Sequence, residues 1–284
     1  MSRLYEALRR LESGNRPAGD LVPELAHPVE ILNSVMEGQF EMDRVQAARI
    51  HASPESRLVA FSAPTSIGAE KFRALVLRLE NLRVQQELKS LQVTSSVVSE
   101  GKSLITANLA VTLATHKQAK VLLLEGDLHR PSLAPLLGLE ASHGLSQWWS
   151  ETGTDLTPFL YRLNDLPLCF LCAGRPQEKP SDILQSARFG EAFASIASRF
   201  DWVVVDSTPM LPIVDVNLWS RLVDGTLLVV REGITPVSVL KTGLENLDNA
   251  NLIGVVLNEA CASDQANYKY SYYSPEKKKR FWQK

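Results

Sequence analysis

The chain has 284 residues, 45% of them hydrophobic and 22% charged, an ordinary globular composition that excludes collagen-like, coiled-coil and disordered classes. Its 30 basic and 32 acidic residues leave a formal net charge of −2, so no whole-molecule field draws it to nucleic acid or an anionic membrane, and no nucleic-acid partner is expected. The length suits one large α/β domain with extra segments at its ends.

Residues 2 to 13 place Leu4, Leu8 and Leu11 on one stripe with Arg3, Arg9 and Arg10 elsewhere, the spacing of a short amphipathic docking helix. The following SGNRPAGDLVPELAHP, with Pro17, Pro23 and Pro28, reads as a linker, and residues 30 to 56 give no decisive pattern. From Gly68 a helix is predicted, because Phe72, Leu75, Val76, Leu79 and Leu82 fall on one face. Apolar, β-rich runs then recur at LQVTSS, KVLLLEG, LCFLCAG, WVVVDS, GTLLVVRE and LIGVVLNE. Between them lie helical stretches such as SLITANLAVTLATH, ILQSARFGEAFASIASRF and VSVLKTGLENLDN. Strands apolar on both faces and joined by helices imply a mostly parallel central sheet flanked by helices, a three-layer α/β fold with its working loops at the strand C-terminal ends.

No apolar run approaches the roughly 20 residues of a membrane-spanning helix, and MSRLYEALRRLE lacks the apolar stretch of a secretion signal. A cytoplasmic chain with free thiols is therefore expected. Cys169 and Cys172 form a CxxC in LPLCFLCAG, where an offset of three along a buried strand puts them on opposite faces, as core filling and not as a redox or metal pair.

Chemistry concentrates at three strand ends. LQVTSS runs into VVSEGKS and then a helix at Leu104, which is a P-loop in its proper setting. Backbone N–H groups over Val98, Ser99, Glu100, Gly101 and the start of the helix through Leu104 would cradle phosphate oxygens. Lys102 would reach the β and γ phosphates, and the Ser103 hydroxyl would bind Mg²⁺. Ser96 stands where the GxxxxGK[ST] pattern has its first glycine, so strand, loop, helix and the downstream acids carry the assignment. VLLLEGDLHRP ends in Glu125 and Asp127, whose i, i+2 spacing would turn both carboxylates to the nucleotide as Mg²⁺ ligands or as acceptors of a hydroxyl proton. DWVVVDSTP delivers Asp206 at the Walker B position. Each acid alone would equally suit a helix cap or a solvated loop.

The tail NYKYSYYSPEKKKRFWQK packs Tyr268, Tyr270, Tyr272 and Tyr273, four of the six tyrosines, into six residues. From Asp264 onward it carries six basic and two acidic residues, a formal +4. Four phosphotyrosines would add roughly −6 to −8 and reverse that sign. The roughly 13 residues from Cys261 to Tyr273 reach about 43 Å when extended, enough to approach a neighbouring copy. An edge strand or a membrane-surface patch would use the same residue types but not this clustering.

P-loop, paired acids, Walker B acid and terminal tyrosines in that order resemble the bacterial tyrosine kinases that accompany capsule and exopolysaccharide synthesis, within the MinD/ParA-like superfamily of P-loop NTPases. The likeness runs over about residues 57 to 273 and rests on TSSVVSEGKS, VLLLEGDLHRPS, FDWVVVDSTPMLPIVD and GVVLN, while SRLYEALRR looks like the exopolysaccharide-export subgroup. It implies an N-terminal helix and linker over 1–56, a P-loop kinase domain over 57–262 and a tyrosine-rich tail over 263–284. It also implies an ATP- and Mg²⁺-dependent autokinase that modifies a neighbour's tail in a ring-like homo-oligomer. A transmembrane chain-length regulator would activate it and hold it peripherally at the inner face of the plasma membrane. By this likeness Lys102, Asp127 and Asp206 are catalytic and Asp127 is the base for the tyrosine hydroxyl. Ser103, Asp127, Asp206 and Glu125 serve the metal, Asn258 joins the nucleotide contacts, and Asp215 supports the site.

Four residues depart from the family pattern: Glu125 stands for aspartate, Ser99 for glycine and His129 for arginine, and Val76 takes the last place of the ExxRxxR oligomerisation motif begun by Glu70 and Arg73. The alternatives are a MinD/ParA-type positioning ATPase, whose second P-loop lysine is replaced here by Val97, and a catalytically weak nucleotide-binding scaffold of the export complex.

Overall fold

The computed structural model describes residues 45–140, 143–175, 179–211, 215–247 and 251–260. The amphipathic helix expected over 2–13 and the tyrosine tail lie outside them.

Among the described residues eight strands form one sheet: β1 (Gln46–Ala48), β2 (Ser90–Ser95), β3 (Val121–Glu125), β4 (Leu160–Leu163), β5 (Leu168–Leu171), β6 (Trp202–Asp206), β7 (Gly225–Arg231) and β8 (Leu252–Asn258). Their order is β1-β4-β5-β3-β6-β2-β7-β8, with every neighbouring pair parallel except antiparallel β4 and β5. All six strands expected from the sequence are present. The described helices are α1 (Val59–Ser62), α2 (Ile67–Gln85), α3 (Lys102–His116), α4 (Leu133–Leu136), α5 (Leu145–Ser150), α6 (Pro180–Gln185), α7 (Ala187–Ala197), α8 (Asp215–Trp219) and α9 (Val237–Glu245).

Alternation of side chains along the pleat sorts the core into two layers. Leu91 and Val93, Val121 and Leu123, Val204, and Leu227 and Val229 pack with Val76 and Leu79 of α2 and with Ile105, Leu109 and Leu113 of α3. On the other face Leu228 and Val230 meet Met210 and Val216, and Phe189 and Phe193 of α7 stack edge-on against Trp219 of α8. Cys169 and Cys172 are buried thiols whose pKa burial pushes up to about 12, which suits core filling and leaves little thiolate. Val76 is likewise fully buried, so the place of the motif's last arginine is a core position here, while Arg73 pairs with Glu70 and donates to the Pro64 carbonyl.

Two differences from the expected architecture concern the far edge of the sheet and the helices beneath it. β1 and β4 add strands at that edge, and β1 lies ahead of residue 57, where the linker was expected to end. The stretch from Ile183 to Phe200 is not one helix but parts of two. Ser186 adopts extended backbone (φ −74, ψ 137), closes α6 and caps α7 by accepting the Phe189 amide.

Candidate active site

β2 is central, between β6 and β7, so its C-terminal end opens at a switch point of the sheet where ligand-binding loops gather. Residues 96–101 form the loop that leads from it into α3. Two residues take the left-handed conformation that makes the turn, Ser99 at φ 66 and Gly101 at φ 93. For Gly101 the constraint is double, because a Cβ there would lie 2.1 Å from Asn258 Nδ2. Asn258, the last residue of β8, donates from that nitrogen to the Glu100 carbonyl at 2.8 Å and so seals the loop against the end of a strand two places along the sheet. We expect Gly101→Ala to weaken binding of an ATP analogue at least about tenfold, and adding Asn258→Ala to recover only part of it, because the strained φ outlasts the clash. Isothermal titration of both variants would measure this.

Glu100 is the loop's brace. Its carboxylate is 1% exposed, accepts the Val97 amide at 2.9 Å and the Arg231 amide at 3.2 Å, and takes the Thr235 hydroxyl, tying the loop to the end of β7. Val98 is exposed at the tip, while Leu104 offers its carbonyl to Asn108 within α3. Ser99 holds for an L-residue a conformation that costs about 1–2 kcal/mol. We expect Ser99→Gly to raise the melting temperature by about 2 °C after the extra chain entropy of glycine is subtracted, measured by differential scanning calorimetry.

Lys102 begins α3 and turns inward. Its Nζ lies 2.7 Å from Asp206 Oδ1, 3.5 Å from Asp127 Oδ2 and 3.4 Å from the Ser103 hydroxyl. Asp206, at the end of β6, is fully buried. Burial drives its pKa up, opposed by the Lys102 charge and hydrogen bond. Its second oxygen, Oδ2, is buried and without a protein partner, as is the Ser96 hydroxyl. Asp127 is held from its other side by the Arg130 amide at 3.0 Å, and the Ser132 hydroxyl meets that of Ser103 at 2.7 Å. Ser132 was not singled out from the sequence, although it closes the run DLHRPS.

Glu125 stands apart from this group. The structure gives it a different employment from the metal ligation expected of it. Its Oε1 accepts the Leu133 and Ala134 amides at 2.6 and 3.3 Å, and its Oε2 accepts the Ala173 amide at 3.0 Å. β3 ends at Glu125, and the chain leaves the pleat at Gly126, so the two-residue spacing expected to align Glu125 with Asp127 does not apply. Asp215, also fully buried, accepts from the Ser181 hydroxyl at 2.6 Å and pairs with His129 Nε2 at 2.9 Å, linking α6 and α8 to the segment after Asp127.

Among the described residues, no group of three or more His, Cys, Asp or Glu side chains is arranged to hold a metal by itself. Ser103, Asp127 and Asp206 instead offer a few hard oxygens beside a phosphate-type loop, which is the donor set Mg²⁺ accepts when the nucleotide and water complete its shell. The unpartnered Asp206 Oδ2 and the cation at Lys102 fit such a group.

No protein-family model matches the chain. It is 30% identical over 259 residues to the tyrosine-protein kinase wzc of Salmonella typhi, a match covering 88% of this chain but 35% of that protein. It is 28% identical over 218 residues to the tyrosine-protein kinase YwqD of Bacillus subtilis, covering 76% of this chain and 91% of that one. The crystal structure of the chimerical protein CapA2B2 superposes with a TM-score of 0.67 at 25% identity, over 80% of this chain and 99% of that one. The septum site-determining protein MinD of Pyrococcus horikoshii, solved with Mg-ADP, shares the fold alone, with a TM-score of 0.52 at 20% identity over 63% of this chain and 73% of that one. The sheet order and the loop at the end of β2 define a P-loop NTPase. Within that class, the curated proteins it is similar to are named tyrosine-protein kinases of bacteria.

Proposed function

We propose that the chain transfers the γ-phosphoryl group of ATP, with Mg²⁺, to tyrosines of its own C-terminal cluster, Tyr268, Tyr270, Tyr272 and Tyr273. The observation that carries this reading is the convergence of Lys102 with Asp127 and Asp206 beside Ser103, beneath a left-handed loop that leaves Asp206 Oδ2 without a partner. When bound, Mg²⁺-ATP supplies the transferable group with its negative charge partly neutralised.

The chain's own residues supply the rest. Lys102 presents its ammonium to phosphate oxygens in place of Asp206, and Ser103 and Asp206 present oxygens to the cation. Asp127, oriented by the Arg130 amide, has one carboxylate oxygen left to accept the phenolic proton once Lys102 turns to phosphate. Asn258 and Glu100 hold the loop in shape. Acceptor tyrosines come from a neighbouring copy, so the working form is a homo-oligomer. A transmembrane regulator of polysaccharide chain length activates it at the inner membrane face, which places the activity in capsule or exopolysaccharide export. Among the described residues no helix is long and apolar enough to cross a membrane.

The test is incubation of phosphatase-treated full chain with ATP and Mg²⁺, with the regulator's cytoplasmic segment added, followed by mapping of phosphate by mass spectrometry. Label on Tyr268 to Tyr273 is expected. ATP turnover with an unlabelled tail would instead favour a positioning ATPase.

A further inference from the structure

Among the described residues β8 is an edge strand of the sheet, and edge strands with apolar faces normally have to be covered. Here Val255 is 58% and Leu257 52% exposed, in register with Leu228 and Val230 on the face away from α2, whereas the neighbouring strand β7 is buried along nearly its whole length. Between α2 and this free edge runs a cavity of about 470 Å³, with Phe72, Leu75 and Ile105 among its apolar lining residues and Arg78 and Glu70 among its charged ones. It closes at Asn258 and Glu259, beside the P-loop. A groove with an apolar floor and an unpaired strand backbone along one wall is shaped for an extended segment that adds to the sheet and drops alternate side chains into it.

The chain itself supplies such a segment. Directly after β8, Glu259 takes the left-handed conformation at φ 53, and Arg57 and Arg231 both pair with its carboxylate, so the backbone is made to turn where the strand ends. Beyond it, Tyr268, Tyr270 and Tyr272 recur with period two, the spacing that puts three phenol rings on one side of a strand. The nine residues from Glu259 to Asn267 are enough for a return loop, since each spans up to about 3.3 Å or more.

We propose that the unmodified segment Tyr268–Tyr273 of the same chain pairs antiparallel with the free edge of β8 and seats Tyr268, Tyr270 and Tyr272 in the groove between α2 and β8. This deepens the kinase reading by giving the acceptor tyrosines a resting place, and the docking half of it does not require that reading. Neutral phenols suit a groove whose wall is Phe72, Leu75 and the β8 edge. Each phosphate adds about −1.5 to −2 of charge that the Phe72 and Leu75 wall cannot solvate and that must turn to Lys71 and Arg78 at the groove's charged side or to solvent, so modification breaks the seating of the rings and bares β8.

The test is amide hydrogen exchange by mass spectrometry on the full chain, read at residues 251–260 with β2 and β3 as folding controls. Without ATP, the Tyr268→Ser/Tyr270→Ser/Tyr272→Ser chain is expected to exchange at β8 at least about tenfold faster than the native chain while β2 and β3 are unchanged. Equal rates at β8 overturn the proposal, and so does native protection that disappears on dilution, which would identify a second copy as the occupant. In the second arm, chain labelled by its own ATP reaction is expected to exchange like the triple variant, and labelled chain that stays protected overturns the release. If the tail takes up no label, the kinase reading fails by itself and the ATP-free comparison still decides the docking.

Discussion

Replacing Lys102 with Met should abolish tail phosphorylation, by on the order of 10³-fold or more, and should also lower the stability of the chain in a pH-dependent way. The first effect follows from removing the cation that, among the described residues, is placed to meet transferring phosphate, a loss typical of deleting a fixed charge at a developing negative centre. The second follows from where Lys102 sits. It is 7% exposed, between Asp206 at 0% and Asp127 at 6%, so its loss leaves two carboxylates facing each other with no counter-charge. Breaking such a buried pair costs up to about 3–5 kcal/mol, limited by the freedom of Asp206 to take up a proton. Burial already holds the Asp206 pKa above its ordinary 3.8, and removing the lysine raises it further. A carboxyl whose folded pKa lies above its unfolded value contributes stability below the unfolded value and loses it as pH rises through the folded one. The gap between native and Lys102→Met chains in urea should therefore be small near pH 4 and widen toward pH 8. Adding Asp206→Asn to Lys102→Met should close most of the gap at pH 8. A gap independent of pH would mean that the pair is not what couples the lysine to the fold.

Much of this arrangement can be read in the sequence, and the reasons differ from element to element. Strands such as VLLLE and WVVVD announce themselves because both faces of a central parallel strand are buried. The loop at Gly101–Lys102–Ser103 is legible because phosphate binding demands particular residue types at fixed spacing. β1 is not legible: Gln46–Ala48 is three residues with no large apolar side chain and becomes a strand only by pairing with Tyr161–Leu163 of β4. That Ser99 is left-handed has one trace in the sequence, the family's glycine at its place, and its cause lies in closure of the loop between Glu100 and its distant partners Arg231 and Thr235. The meeting of Lys102 with Asp206 was implied by motif order. The pairing of Asp215 with His129 and Ser181 joins residues dozens of positions apart and was not.

Glu125 is where the sequence reading and the structure part most clearly, and it gives the second large expected effect. A metal ligand and a backbone brace fail differently when removed. If Glu125 braces, Glu125→Ala strips acceptors from the Leu133, Ala134 and Ala173 amides at once, in a place where the carboxylate is 1% exposed and water cannot readily replace it. Each orphaned donor costs about 1–3 kcal/mol, and because the three share one acceptor group the total should be roughly 3–5 kcal/mol. Glu125→Gln keeps one acceptor oxygen but turns an N–H₂ toward a backbone N–H, so it should recover only part of that loss. Glu125→Asp is one methylene shorter and cannot span both Leu133 and Ala173, so it too should fall between native and alanine. At a temperature low enough for every variant to remain folded, the Mg²⁺ concentration that half-saturates tail labelling should be the same in all of them. A rise of tenfold or more in that concentration for Glu125→Gln, with urea stability near native, would place the carboxylate on the metal and not on the backbone.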